Sequence, residues 1–320
     1  MSRKDIEGLH LTMKDVLAAV DNGFRLKGLG KTEMPPKPGI HSRPNSFIHA
    51  MPAYVQEVEL AGLKWVSGYP ANPDQGLPYI TGLLILNDPV TGIPIAVMEC
   101  AWITAMCTGA SVGIAARYLA RPDSHAVGLL GCGVQVRTSL AALVEILPQL
   151  REVRCCDLFP AAAQRFLEEM GPQFTKLKFI TCGQPAEMVK GADVVVTAIP
   201  IVTKSQPPIE AGMLKAGSLG VSLDYDSAWT SAAMKECDKF CSDDVGQLIS
   251  TKEHGICFSG IPKRVYADLG ELAAGLKKGR TNHREKIFAM NMGIAVDDMV
   301  TAKALYDRAV KTGAGVRLAL

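Results

Sequence analysis

The chain has 320 residues, of which 48% are hydrophobic and 21% are charged, and its formal net charge is +2. This length exceeds the roughly 250–300 residues that one core serves, so two domains are expected. Near-neutral charge without a cluster of basic and aromatic residues disfavours nucleic-acid binding. The N-terminus is charged and lacks the apolar core of a signal peptide, so none is expected. No run of about 18 apolar residues lacks a charge, so no membrane span is expected either.

Cysteine and histidine spacing predicts the compartment and the absence of a metal site. Nine cysteines are scattered without CxxC spacing, and six histidines form no HExxH or comparable pair. This pattern is typical of reduced thiols in a cytoplasmic protein, and no metal site is expected.

The first third of the chain predicts a helix followed by a mostly antiparallel sheet. Apolar residues at helical spacing over 11–27, with Thr12 as N-cap, indicate an amphipathic helix. Short β-like runs follow over 47–100, and the turn residues of 87–92 predict a hairpin. A small-residue helix over 102–120, suited to close backbone approach, leads to a domain boundary near residue 122.

Two cations in this part of the chain are candidate anion ligands. Arg43 follows an irregular segment rich in Gly, Pro and Lys, and is either a solvated charge or an anion ligand. Lys64 lies in an apolar strand, LKWV, where it is either exposed at a sheet edge or paired with an anion, because an unpaired buried ammonium is costly.

After the boundary, strands and helices alternate, which is typical of a doubly wound parallel sheet. Strands are predicted at 126–130, 153–156, 178–181, 193–198, 218–223 and 239–242, and helices at 135–146, 160–170, 185–190, 231–236 and 244–251. The tail over 286–308 is predicted to form one long helix that returns to the first domain. Ligands bind beyond the carboxyl ends of such strands, where Asp157, Asp224, Asp226 and Asp243 are either turn formers or functional acids.

The segment AVGLLGCGVQVR at 126–137 has the outline of a dinucleotide-binding turn. Gly131 suits the sharp turn after the strand, and Gly133 lets a pyrophosphate approach the following helix. Val136 occupies the third fingerprint position, where Gly or Ala is usual, so the motif alone is a weak signal. Asp157, 24 residues after Gly133, is either the ribose-binding acid or the start of the next turn.

Several longer stretches resemble the ornithine cyclodeaminase and mu-crystallin family over nearly the whole chain. They are MPAY at 51–54, KWVSGYPANP at 64–73, GLP at 76–78, TGIPIAVME at 91–99, AARYLARPDS at 115–124, LLGCGVQ at 129–135, GADVVVTA at 191–198 and NMGIAVDDM at 291–299. The resemblance implies a Rossmann domain over 123–289, and an α+β substrate and dimerisation domain over 1–122 with 290–320. It also implies a homodimer that acts on a small amino acid or imine.

The resemblance implies chemistry at an amine- or imine-bearing carbon with a nicotinamide cofactor, in a cyclodeaminase, amino-acid dehydrogenase or ketimine reductase. Asp226 matches the catalytic acid/base and Asp224 is its rival, while the implied substrate contacts are Arg43, Lys64, Tyr79 and Cys107, with Lys64 also catalytic. The implied cofactor contacts are Gly131, Gly133, Val134, Gln135, Asp157, Thr197, Val221, Ser222, Leu223 and Asn291. A carboxylate at Asp157 repels a 2′-phosphate, which favours NAD over NADP.

Three positions depart from the family pattern. Cys107, in TAMCTGA at 104–110, replaces the usual Arg, and a thiol does not substitute for a planar five-donor cation. Tyr79 and Thr230 replace a small hydroxyl residue and a Lys of the cyclodeaminase. These departures disfavour ornithine and leave open a mu-crystallin-like dinucleotide-binding protein with little or no catalysis. The retained Asp226, Lys64 and Arg43 favour an enzyme.

Overall fold

The computed structural model describes residues 1–202, 205–254, 260–262 and 264–318. These residues form an antiparallel sheet of six strands and a parallel sheet of eight strands, with helices packed against them. This architecture confirms the predicted Rossmann fold with a second α+β part.

The antiparallel sheet lies in the first third of the chain. Its strands are β1 (Thr32–Glu33), β2 (Gly39–Ile40), β3 (Phe47–Val55), β4 (Leu60–Gly68), β5 (Ile80–Asn87) and β6 (Pro94–Glu99). Their order is β1-β3-β4-β5-β6, with β2 paired to β3, and β5 and β6 form the predicted hairpin. Side chains of a strand alternate between the two faces, so Lys64 and Val66 are buried while Trp65 between them is exposed.

The parallel sheet contains β7 (Ala126–Leu130), β8 (Glu152–Cys156), β9 (Lys178–Thr181), β10 (Val194–Thr197), β11 (Leu219–Ser222), β12 (Lys239–Ser242), β13 (Ala267–Asp268) and β14 (Ile287–Met290). Its order is β13-β12-β14-β11-β10-β7-β8-β9. Strands β8 and β9 follow β7 on one side of the sheet, and β11, β14, β12 and β13 follow β10 on the other. The direction of winding therefore changes between β7 and β10, where a ligand is expected.

The described residues contain ten helices: α1 (Arg3–Gly8), α2 (Met13–Gly28), α3 (Ala101–Leu119), α4 (Val134–Ile146), α5 (Pro160–Met170), α6 (Pro185–Val189), α7 (Ser231–Lys235), α8 (Val245–His254), α9 (Leu269–Ala273) and α10 (Ala295–Thr312). Thr12 caps α2, since its hydroxyl accepts from the Asp15 amide and the Asp15 carboxylate accepts from Thr12. None of these helices is long and apolar enough to cross a membrane.

The tail departs from the single helix that its periodicity predicts. Residues 287–290 form β14, a fully buried strand inserted between β11 and β12, and α10 begins only at Ala295. Gly293, at φ +79°, separates the two elements. A short apolar run suits a buried strand and a buried helix equally, so periodicity does not distinguish them.

Small residues bring α3 close to its neighbours, as the composition of this helix predicts. A Cβ atom added at Gly109 would lie 2.5 Å from the backbone carbon of Thr138 in α4, and one at Gly113 would lie 2.7 Å from a methyl of Leu17 in α2. These contacts place the start of α4, and with it the glycine turn, against the antiparallel-sheet part.

Candidate functional site

A cavity of about 590 Å³ lies between the antiparallel sheet and the carboxyl edge of the parallel sheet. One wall comes from the segment 36–51 with Lys64, Val66 and Tyr79. The other includes Gln135, Leu223, Tyr225, Gln247 and residues 291–293. The cavity therefore lies where a doubly wound sheet binds its ligand.

The glycine turn between β7 and α4 fits a dinucleotide. Gly131 has φ +87°, and a Cβ there would lie 2.6 Å from the Ala198 carbonyl oxygen, so only glycine suits this turn. A Cβ at Gly133 would meet no atom within 4 Å, and no side chain caps the N-terminus of α4. Gly133 and Val134 are exposed, so open space and uncapped N–H groups adjoin each other, as an anion requires.

Asp157 braces this turn from the end of β8. Its Oδ2 accepts a hydrogen bond from the Cys132 amide at 2.6 Å, and its Oδ1 accepts one from the Phe159 amide at 2.9 Å. Behind the turn, the Arg137 guanidinium donates to the carbonyls of Cys132 and Gly133. Val136 is fully buried, so a branched side chain is accommodated at the third fingerprint position.

Two polar atoms on the cavity wall fit a further polar ligand group. Gln135 Oε1 and Asn291 Oδ1 are both buried and have no hydrogen-bond partner among the described residues. The Asn291 amide is held in place because its Nδ2 donates to Ser111 Oγ at 2.8 Å. Buried acceptors of this kind are rarely left without a donor, so both suit a ligand that carries N–H or O–H groups.

Three predicted cofactor contacts lie inside the sheet. Thr197, Val221 and Ser222 are fully buried and do not line the cavity. The hydroxyls of Thr197 and Ser222 donate to Asp224 Oδ1 at 2.7 and 2.9 Å, and burial raises the pKa of Asp224 to about 6. Asp224 thus joins the ends of β10 and β11. Of the four predicted cofactor contacts at the ends of β10 and β11, only Leu223 lines the cavity.

Asp226 follows directly after Tyr225, which lines the cavity with φ +60°. Asp226 is partly exposed. Its rival Asp224 is fully buried and accepts the hydrogen bonds that join β10 and β11. Thr230 caps α7, since its hydroxyl accepts from the Ala233 amide.

Lys64 is the buried cation of the cavity wall. Its Nζ donates to Asp298 Oδ1 of α10 at 2.6 Å, so the anion that it meets belongs to the protein. Burial disfavours the ammonium, but the adjacent Asp298 carboxylate outweighs it and raises the pKa of Lys64. The ammonium thus stays charged beside the cavity.

Cys107 lies behind Lys64. Its Sγ donates to the same Asp298 Oδ1 at 3.2 Å, and burial raises the pKa of the Cys107 thiol well above its usual range. A small space of about 10 Å³, also lined by Asp297 and Asn291, adjoins this group. A protonated thiol held by a carboxylate is poorly suited to nucleophilic attack.

Of the other two predicted substrate residues, Tyr79 and Arg43, only Tyr79 reaches the cavity. Tyr79 lines the cavity and is half-buried. Arg43 is exposed, its guanidinium donates to the Ser42 carbonyl at 2.8 Å, and it does not line the cavity.

Lys37 and His49 are among the cavity-lining residues that the sequence prediction omitted. His49 stacks on Phe47 with ring centroids 4.4 Å apart, and burial together with Lys37 lowers its pKa to about 3. On neighbouring strands, His49 pairs with Val66 and Met51 pairs with Lys64. Val66 and Lys64 are two residues apart in β4, so His49 lies on the same face of the sheet as Lys64. The segment around Lys37 carries no such periodic signal. Within the described ranges, no group of three or more His, Cys, Asp or Glu side chains is arranged to hold a metal.

Comparisons with known proteins identify the family of this chain. A model of the ornithine cyclodeaminase/mu-crystallin family matches residues 1–313. The alanine dehydrogenase of Archaeoglobus fulgidus is 34% identical, over 99% of this chain and 97% of that protein. The structure of Thermococcus litoralis Delta(1)-pyrroline-2-carboxylate reductase in complex with NADH and L-proline has a TM-score of 0.89 at 34% identity, covering 99% of both chains. An archaeal alanine dehydrogenase dimer with bound NAD has a TM-score of 0.88 at 31% identity, covering 100% of this chain and 98% of that one. The chain therefore belongs to the ornithine cyclodeaminase/mu-crystallin family.

Proposed function

We propose that this enzyme is an NAD-dependent oxidoreductase that acts at an amine- or imine-bearing carbon of an amino acid or a cyclic imine. The observation that carries the proposal is the buried Lys64 ammonium on a cavity that also reaches Gln135, beside the glycine turn. NAD is the cofactor, as in the two solved relatives with bound NADH and NAD. Residues 123–289 serve the cofactor, and residues 1–122 with 290–320 serve the substrate.

The cofactor would be held by Gly131, Gly133, Val134 and Gln135 at the pyrophosphate and by Asp157 at the adenosine ribose. The remaining proposed contacts are Thr197, Val221, Ser222 and Leu223 at the ends of β10 and β11, together with Asn291. Bound NAD accepts or donates the hydride, and the protein supplies orientation and proton transfer.

Proton transfer falls to Lys64 and Asp226. Lys64 holds a proton at Nζ beside the cavity, and Asp298 keeps that ammonium charged and oriented. Reduction of an imine requires a proton at nitrogen, which Lys64 would supply, and oxidation of an amine would return it. Asp226, past the end of β11, would relay protons to the substrate nitrogen or to water. Release of ammonia, as in a cyclodeaminase, would follow only with a substrate that carries a second amine.

Absorbance at 340 nm tests the proposal. Enzyme with NADH or NAD is offered cyclic imines, amino acids and amine/ketone pairs, and we expect turnover of at least one carboxylated imine or amino acid. Lys64→Met should lower kcat by about 10²–10⁴-fold, the usual contribution of a positioned acid or base. A folded Asp226→Asn variant with full turnover would remove Asp226 from the mechanism.

The alternative is a mu-crystallin-like protein that binds the dinucleotide with little catalysis. Two observations favour it. Arg43 is exposed and does not line the cavity, and position 107 carries a thiol where the family usually has an Arg. Tight NADH binding without absorbance change across the whole panel would support this alternative.

A homodimer is proposed through the outer face of the antiparallel sheet. Trp65, Leu83, Ile95 and Val97, on neighbouring strands, are all exposed there. Such apolar patches mark interfaces between subunits, and the archaeal alanine dehydrogenase relative is a dimer. The eight cysteines of the described residues are free thiols, which supports a cytoplasmic location.

A further inference from the structure

Strand β3 lines the cavity with a row of aromatic and apolar side chains. Phe47, His49 and Met51 are spaced two residues apart, so all three lie on the face that lines the cavity. Met51 pairs with Lys64 of β4, which places one end of this β3 row beside the buried ammonium. Successive members are about 7 Å apart, so the row extends away from Lys64 in steps as long as an amino-acid side chain.

Two glycines on the strands beside β3 make room for the rings of the row. Gly39 of β2 pairs with His49, and Gly68 of β4 pairs with Phe47. A Cβ atom at Gly39 would lie 2.8 Å from His49 Cδ2, and one at Gly68 would lie 2.5 Å from Phe47 Cζ. Neither glycine has a positive φ, so the space that the rings occupy, and not the backbone conformation, requires glycine there.

Phe47 and His49 form one rigid, uncharged surface. Their rings stack at an interplanar angle of 21°, and His41 approaches His49 edge-on with 6.4 Å between ring centroids. His41 is held in turn because its Nδ1 donates to the Ser46 carbonyl at 3.0 Å. Burial, together with the nearby Lys37, lowers the pKa of His49 to about 3, so this ring is neutral at physiological pH.

The charges on the cavity wall disfavour a second amine on the substrate. Lys37 and Lys64 line the cavity, and no Asp or Glu is among the described residues that do. An ammonium at the end of a substrate side chain would therefore meet no carboxylate on this wall, and burial of an unpaired charge is costly. The attraction of an aromatic face for a cation is small beside that cost.

We propose that the β3 row receives the side chain of the substrate, and that this side chain is apolar, with an aromatic ring as the best fit. This inference rests on the proposed function, which places the reacting nitrogen at Lys64, and it names the substrate class. A ring that lies about 7 Å from Lys64 along the row reaches His49, where both burial and ring stacking stabilise it. The expected order of affinity is L-phenylalanine, then L-alanine, then L-ornithine.

Calorimetry on the NADH-bound protein tests this order without requiring turnover. L-Phenylalanine should bind at least about tenfold more tightly than L-alanine, and L-ornithine should bind more weakly than L-alanine. His49→Ala should weaken L-phenylalanine binding about tenfold and change L-alanine binding less than about twofold, because only the larger side chain reaches this position. His49→Phe should keep the affinity for L-phenylalanine within about threefold of the parent, since it retains a ring.

Ile48→Ala is the matched control. Ile48 lies between Phe47 and His49 on the opposite face of β3 and does not line the cavity, so this variant should bind all three amino acids as the parent does.

The outcomes separate this inference from the proposed function. Absence of any absorbance change at 340 nm would contradict the proposed oxidoreductase, but the order of affinities would still test the β3 row. L-Phenylalanine that binds no more tightly than L-alanine, or L-ornithine that binds more tightly than either, would overturn the inference. Equal losses in His49→Ala and His49→Phe would also overturn it, because the ring nitrogens of His49 and not its aromatic surface would then be required. If His49→Ala fails to fold, the order measured on the parent decides.

Discussion

Asp298 organises the buried side of the cavity at the scale of single residues. One oxygen, Oδ1, accepts from both the Lys64 ammonium and the Cys107 thiol. The neighbouring Asp297 is also buried, but burial and the nearby Asp243 raise its pKa well above the usual range. Of these two consecutive acids of α10, Asp298 has a cation, Lys64, in direct contact, whereas Asp297 has no ion pair among the described residues.

We expect Asp298→Asn to destabilise the protein far more than Asp297→Asn at pH 7. Asp298→Asn leaves Lys64 buried without its anion, which should cost about 3–5 kcal/mol of unfolding free energy and lower the pKa of Lys64. Asp297→Asn replaces a buried carboxyl, whose charged form burial disfavours, with a neutral amide of similar shape, so the cost should stay below about 1 kcal/mol. Urea unfolding and the pH profile of kcat measure both effects, and equal losses in the two variants would contradict this assignment.

The glycine turn shows what one local element contributes. Gly131 and Gly133 lie two residues apart, yet only Gly131 has positive φ and a close backbone neighbour, the Ala198 carbonyl. The turn itself was predictable from sequence, because a turn between a strand and a helix is specified by residues adjacent in the chain. Strand β14 was not predictable in the same way, because its four apolar residues become a strand only through pairing with β11 and β12.

Alanine at these two glycines should separate stability from cofactor binding. Gly131→Ala should destabilise the fold by about 1–3 kcal/mol, since the residue is held at φ +87° against a carbonyl oxygen. Gly133→Ala, at φ −84° in open space, should melt with the parent but bind NADH about tenfold more weakly, because its methyl occupies the approach to the turn. Thermal unfolding and NADH fluorescence report the two effects, and unchanged NADH affinity in Gly133→Ala would argue against a pyrophosphate at this turn.

The whole molecule is held together across the cavity by polar contacts from the first part of the chain. Lys27 of α2 pairs with Asp244 and Asp268 at the end of the parallel sheet, and Lys37 bonds to Gln247 and to residues 292 and 293. These contacts fix the cavity walls relative to each other. The opposite face of the antiparallel sheet is left for the proposed partner subunit.

Charge on that outer face should dissociate the proposed dimer. Trp65→Glu with Leu83→Glu places two like charges on paired positions of β4 and β5, which no apolar interface accommodates. Light scattering should show a monomer of about half the parent mass with a native circular dichroism spectrum. Leu276→Glu, at a site that is 60% exposed outside both sheets, is the control and should remain dimeric. A folded double variant that keeps the parent mass would exclude this face as the interface.

The sequence by itself determined the features that depend on neighbours along the chain. These include the alternation of strands and helices, the Thr12 cap, the glycine turn and a lysine inside an apolar strand. Only the tertiary structure decided which cations face the cavity. Arg43 and Lys37 lie in the same irregular stretch, yet Arg43 turns to solvent while Lys37 reaches the loop after β14. An irregular segment has no period that assigns its side chains to a face, and the direction of Lys37 is set by partners more than 200 positions away.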